Sequence, residues 1–102
     1  MQDFIQEKRE EIAELCRKHH VRRLAIFGSA VRDDFDPERS DVDVLIDFEP
    51  SALPTYIDHF VGVRSGLESL LDHRVDLLQE GVIRNPYRLR SLEEDRVLLY
   101  AA

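Results

Sequence analysis

Apolar residues recur along this chain with two different periods, and the switches between them lay out the elements. Over residues 3–19, Ile5, Ile12, Leu15 and Cys16 fall near helical spacing among Glu, Lys and Arg, which predicts an amphipathic helix. Asp3 stands where a cap would, with Gln6 three residues on, a capping-box pattern. Val21 to Phe27 reads as a first strand. In a second strand Val42, Val44, Ile46 and Phe48 form a wholly apolar face, while Asp41, Asp43 and Asp47 point the other way. The strongest helical signal follows at about residues 52–71, where Leu53, Tyr56, Ile57, Phe60, Val63, Leu67, Leu70 and Leu71 recur every three or four positions, with Ser51 or a neighbour as its cap. Gly62 and Gly66 inside it each cost about 1 kcal/mol against Ala. Their spacing puts both on one face, which either admits a close-packed neighbour or is tolerated flexibility. Arg74 to Leu78 is a third short strand, and Asn85-Pro86 starts a last helix over residues 86–97 by placing a cap before a Pro at the first helical position. Val97-Leu98-Leu99-Tyr100 is too apolar for a free tail and should dock on the core or join an interface. The order predicts an α+β fold: a small mixed sheet of about three main strands with helices packed on one face and a charged edge lining a shallow groove.

The candidate chemistry lies between Phe27 and Phe48. Asp41 and Asp43 are two strand steps apart, about 6.6 Å, on one face. Two neighbouring carboxylates repel, and a hard divalent cation relieves them. Gly28-Ser29 ends the preceding strand, where Gly permits close backbone approach and a helix start offers N–H groups to phosphate. The Ser29 hydroxyl can bond a phosphate oxygen or cap the turn. Arg32, one helical turn on, can reach a phosphate or pair with Asp33, Asp34 or a nearby acid. Ser40 can orient the loop. Asp76, flanked by Val75 and Leu77, points away from the face they cover and can pair with Arg74 or another Arg. A phosphate-binding turn beside paired carboxylates is the minimum kit for metal-assisted nucleotidyl transfer.

Gly28-Ser29 followed by Asp41-x-Asp43 resembles the signature of the polymerase-beta-type nucleotidyltransferases. The lead-in LCRKHHVRRLAIFGS, the strand VDVLIDF, the later RVDLL and the tail NPYRLR resemble their smallest branch, the minimal nucleotidyltransferase (MNT, MntA-like) antitoxins, over nearly the whole chain. That pattern usually has ten residues between the Ser and the first Asp; here eleven intervene, Ala30 to Ser40, with the extra one placed in the loop around residues 36–39. The resemblance implies that Asp41, Asp43 and Asp76 hold Mg²⁺, two ions in the family, and that Asp76 accepts the proton of the attacking hydroxyl. It implies that Gly28, Ser29 and Arg32 bind the nucleotide and that ATP is the substrate. The implied activity is AMP transfer to a tyrosine of a HEPN-domain, HepT-like toxin by the antitoxin of a type VII pair, in a hetero-oligomer.

Composition narrows this further. At 102 residues the chain reads as one domain, 1–102, and it should lack the second, acceptor-gripping domain of larger relatives, which points to a protein acceptor. Net charge is −7 with Lys and Arg interspersed among acids, so direct nucleic-acid binding is disfavoured and a basic protein partner is compatible. No apolar run is long enough to cross a membrane, the N-terminus is charged throughout and does not read as a signal peptide, and a single Cys16 makes no internal disulfide, which fits an expected reducing cytoplasm. Cys16 reads as a buried small hydrophobe, His19-His20 as residues at a helix end without ligand partners, and His59 as a half-exposed helix residue. Two other functions stay open: a binding-only antitoxin that occludes its toxin, and a small-molecule nucleotidyltransferase like the aminoglycoside-modifying relatives.

Overall fold

The computed structural model describes residues 1–82 and 84–102. Its frame is one four-stranded sheet in the order β3-β2-β1-β4, with β1 at Val21–Phe27, β2 at Val42–Phe48, β3 at Val75–Gln79 and β4 at Val97–Ala101. β1 pairs antiparallel with both β2 and β4, whereas β2 and β3 run parallel. A parallel pair needs a crossover, and the helix α3, Tyr56–Leu71, supplies it.

Alternation along the strands sorts the sheet into two unlike faces. Leu24, Ile26, Val42, Val44, Ile46, Phe48, Val75 and Leu77 point to the main core, where they meet Ile12 and Cys16 of α2 (Arg9–Lys18) and Val63, Leu67 and Leu71 of α3. Ala25, Phe27 and Leu45 form a second, small cluster, completed by Leu78 and by Leu92 of the helix α4, Pro86–Asp95. To the expected mixed sheet with its helical layer the structure thus adds a fourth strand and a helix against the second cluster. Burial pushes the Cys16 thiol up to about 12, with the Arg17 charge opposing weakly, so this thiol is inert core material.

Several sequence-level boundaries move, each for a visible reason. The helix expected over 3–19 is two, α1 at Asp3–Gln6 and α2, because residues 6–11 supply no apolar side chain to hold the intervening turn on the core. Asp3 is not the cap: Gln2 precedes the helix in extended conformation, without a side-chain capping bond, because its N–H donates to the Ala30 carbonyl (3.1 Å) and its Nε2 to the Arg32 carbonyl (3.1 Å). The Met1 ammonium donates to the Val31 carbonyl (3.1 Å), so the N-terminus braces the turn after β1. The helix expected from about residue 52 begins α-helical geometry only at Tyr56, after a 3-10 segment Pro50–Thr55; Pro54 lacks the N–H and the room for an α-helical interior. No side-chain bond from Ser51 caps it; the Ser51 hydroxyl lies 3.2 Å from His20 Nδ1. Val63, Leu67 and Leu71 face the core, but Leu53, Ile57 and Val61 form an exposed apolar stripe.

Gly62 and Gly66 serve close packing. A Cβ on Gly62 would lie 2.5 Å from the His19 ring, and one on Gly66 would lie 2.6 Å from the Leu15 side chain. α2 and α3 cross at these two residues, and a groove of about 580 Å³ remains between them, lined in part by Glu11, Leu15, Lys18 and Leu70. His59 is brought to His19, with their Nδ1 atoms 3.1 Å apart, and burial followed by the neighbouring His59, Lys18 and His20 lowers the His19 pKa.

The C-terminal apolar run is β4. Its Leu99 is buried on the main core and Leu98 is exposed on the alternate side. Leu99→Ala should therefore cost about 2–3 kcal/mol, whereas Leu98→Ala should cost under about 1 kcal/mol. Urea denaturation of both variants checks this; equal effects would mean that residues 97–101 do not sit in the sheet.

Candidate active site

The site begins with strand register. β2 and β3 pair in parallel with Asp43 opposite Asp76, so two carboxylates stand side by side on the face of the small cluster. On the other side of β2, Asp43 pairs with Phe27, the last residue of β1. The chain then turns at once through a 3-10 segment, Gly28–Ala30, closed by the Val31 N–H donating to the Gly28 carbonyl (3.1 Å). Gly28 has φ +74°, and a Cβ there would lie 2.4 Å from Asp43 Oδ2. Only glycine meets both demands, a left-handed backbone and contact with a carboxylate. Ser29 follows, half-buried. The eleven residues between Ser29 and Asp41 are absorbed without disturbing β2. Residues 36–40 close on themselves: the Ser40 N–H donates to the Asp36 carbonyl (2.8 Å), the Asp36 N–H to Ser40 Oγ (3.0 Å) and the Glu38 N–H to Asp36 Oδ1 (3.0 Å).

One guanidinium joins the two carboxylates. Arg88 Nη2 donates to Asp76 Oδ2 at 2.7 Å and to Asp43 Oδ1 at 3.3 Å, and its guanidinium lies 5.9 Å from the centre of the Phe27 ring. Asn85 prepares this placement by capping α4, accepting from the Tyr87 N–H (2.9 Å) and the Arg88 N–H (3.3 Å). Burial pushes the Asp43 carboxyl up to about 6; the Arg88 charge opposes this, and the Asp76 and Asp41 charges add to it. Asp41 lies just ahead of β2 rather than within it, about half exposed, and pairs with Arg74 at 2.9 Å. Arg32 is engaged by Asp34 (3.1 Å), by Ser91 Oγ (3.2 Å) and by Asp95. Asp47, further along β2, pairs with Arg22 and Arg23.

The sequence candidates therefore fall into groups. Asp43, Asp76 and Gly28 are brought together, Asp41 is near enough for its charge to act on Asp43, Ser29 adjoins Gly28, and Arg32 is tied to the end of α4. Arg88 was missed. A signal existed: Arg88 and Leu92 share a helix face four residues apart, so a helix that packs Leu92 on the sheet must aim Arg88 at the sheet as well.

Among the described residues no three His, Cys, Asp or Glu side chains are gathered at metal-ligating spacing as they stand. Arg74 draws Asp41 to itself, and Arg88 spans the other two. The donor set still fits a hard divalent cation. It is all oxygen, and Asp43 and Asp76 already share one positive group.

The nucleotidyltransferase domain profile matches residues 8–99. A Methanocaldococcus jannaschii protein provisionally named protein adenylyltransferase MJ0126 is 39% identical over 92 residues, covering 89% of each chain. The protein adenylyltransferase MntA of Thermococcus cleftensis is 39% identical over 81 residues, covering 79% of this chain and 78% of its own. A solved structure provisionally described as a minimal nucleotidyltransferase superposes with TM-score 0.72 at 32% identity, covering 94% of this chain and 95% of the other. An MNT antitoxin, solved with a tri-AMPylated Shewanella oneidensis HEPN toxin, shares the fold with TM-score 0.57 at 19% identity, covering 95% of this chain and 72% of the other.

Two outcomes follow from the geometry. The folded pKa of Asp43 is raised, so its neutral form is favoured on folding; that contribution is complete below about pH 4 and lost as pH rises through about 6. Asp43→Asn should raise the urea midpoint of the metal-free protein above pH 7 and flatten its slope between pH 4 and 7; an unchanged profile would contradict the placement of Asp43. Gly28→Ala should cost about 2 kcal/mol or more, from the left-handed backbone and the clash with Asp43, also read by urea denaturation.

Proposed function

The chain belongs to the nucleotidyltransferase domain family, and within it we propose that it is a protein adenylyltransferase that transfers AMP from ATP to a hydroxyl, a tyrosine of a HEPN-domain toxin, and so acts as the antitoxin of a type VII pair. The observation that carries this reading is the direct opposition of Asp43 and Asp76 with Gly28 packed on the Asp43 carboxylate. The protein acceptor is supported by relatives named for adenylylating proteins, and the toxin by antitoxin complexes of the same fold. No described helix is long and apolar enough to cross a membrane.

In the proposed reaction the tyrosine oxygen attacks the α-phosphorus, the bond to the bridging oxygen of the β-phosphate breaks, and pyrophosphate leaves. Asp41, Asp43 and Asp76 would hold magnesium, which when bound neutralises charge on the transferring phosphoryl group and eases loss of the hydroxyl proton. Asp76 accepts that proton. Gly28 lets the backbone approach the β- and γ-phosphates, and Ser29 Oγ donates to one of their oxygens. Arg32, three residues beyond Ser29, is held by Asp34 and Asp95 and reaches a phosphate once one of them lets go.

Incubation of the purified chain with α-labelled ATP, Mg²⁺ and a HEPN-domain partner should put label on the partner. Asp41→Asn and Asp43→Asn should reduce labelling by at least about a hundredfold, as loss of a metal ligand in a catalytic site does. If those variants still neutralise the toxin fully, occlusion and not catalysis is the function.

A further inference from the structure

Arg88 occupies the space between Asp43 and Asp76, two of the carboxylates that would hold a divalent cation. Its Nη2 contacts both carboxylates, and a guanidinium cannot lose its charge at any working pH, so it yields that position only by moving. The helix that carries it is weakly held. α4 has no buried residue; it rests on the sheet through Leu92 and is tied at its far end by Ser91 and Asp95 to Arg32. The Arg32 N–H in turn donates to the Gly28 carbonyl (3.4 Å), at the start of the turn read as the phosphate site. α4 therefore spans the candidate site from end to end, with one arginine on the carboxylates and its other end on the arginine beside the turn. A triphosphate in this gap would offer the guanidinium several anionic oxygens in place of the two carboxylates.

We propose that Arg88 is a gating residue. It serves as the counter-ion of Asp43 and Asp76 until a nucleoside triphosphate draws its guanidinium away, so that divalent metal alone binds weakly and metal and nucleotide bind with positive coupling. The inference rests on the nucleotidyltransferase reading of the site. Coupling of this kind is reciprocal: the nucleotide tightens the metal by the factor by which the metal tightens the nucleotide.

The test uses the full chain and Mn²⁺ as the probe, followed by electron paramagnetic resonance, with and without a non-hydrolysable ATP analogue. In the unsubstituted protein the analogue should tighten Mn²⁺ by about tenfold or more. Arg88→Gln should bind Mn²⁺ alone about fivefold more tightly, the size expected of a half-exposed ion pair, and the gain from the analogue should shrink below about threefold. Arg88→Lys, which keeps the charge without the fork, should fall between the two. A second measurement covers a misfolded variant: the Arg88 side-chain N–H resonance of the unsubstituted protein should shift when the analogue is added without metal. Equal Mn²⁺ affinity and equal coupling in the unsubstituted and Arg88→Gln proteins, or an unmoved Arg88 resonance, would overturn the gating role and leave the metal site standing. Failure of Mn²⁺ to bind either protein, with Asp76→Asn making no difference, would instead remove the site reading beneath it.

Discussion

Two carboxylates that repel one another are held side by side by backbone hydrogen bonds, and the proposed chemistry depends on that opposition. The parallel register of β2 and β3 gives Asp43 no way to leave Asp76 short of breaking the ladder. Burial adds to the cost of the charge on Asp43, which is why its carboxyl is pushed up to about 6 even with Arg88 in contact. A fold that maintains such a cluster keeps a standing demand for positive charge. In this structure guanidinium groups meet it: Arg88 for the strand pair and Arg74 for Asp41.

The surroundings serve the same end from both sides of the sheet. On one side α2 and α3 press together at Gly62 and Gly66 and bury the apolar face of β2, which keeps the register from slipping. On the other side, among the described residues, only Ala25, Phe27, Leu45, Leu78 and Leu92 are gathered, and the side-chain hydrogen bonds of α4 to the rest of the fold run through Arg88, Ser91 and Asp95. The helix nearest the candidate site thus has little apolar anchorage, while those behind it have much. Local opening is easiest where apolar contacts are fewest, which on this sheet is the face covered by α4. The N-terminus contributes to rigidity as well, since Met1 and Gln2 bond to the carbonyls of Val31, Ala30 and Arg32 and brace the turn after Gly28.

Much of this was legible before any coordinates. The alternation Val42, Val44, Ile46, Phe48 against Asp43 and Asp47, the helical spacing of Val63, Leu67 and Leu71, and the Asn85-Pro86 helix start are short-range patterns, and the structure keeps each of them. Other features failed locally for tertiary reasons. Asp3 did not cap because the residues before it are bonded to a distant turn, and the apolar tail became β4 because an unpaired edge of β1 was available. The histidines give a further case: His59 meets His19 through the crossing of two helices, a contact with no trace in their spacing.

By itself the sequence determined the apolar face of β2 and of the later turns of α3, the order of the first three strands, and that a Gly-Ser bend precedes a strand bearing carboxylates. Those properties follow from the two- and 3.6-residue periods and from the chemistry of single side chains, which act over a few residues. Tertiary structure alone decided that Asp76 stands opposite Asp43, that Gly28 lies against its carboxylate, and that Arg88 bridges the pair. The physical reason is that register across a parallel pair, and the angle at which a helix returns to a sheet, are set by how the whole core packs.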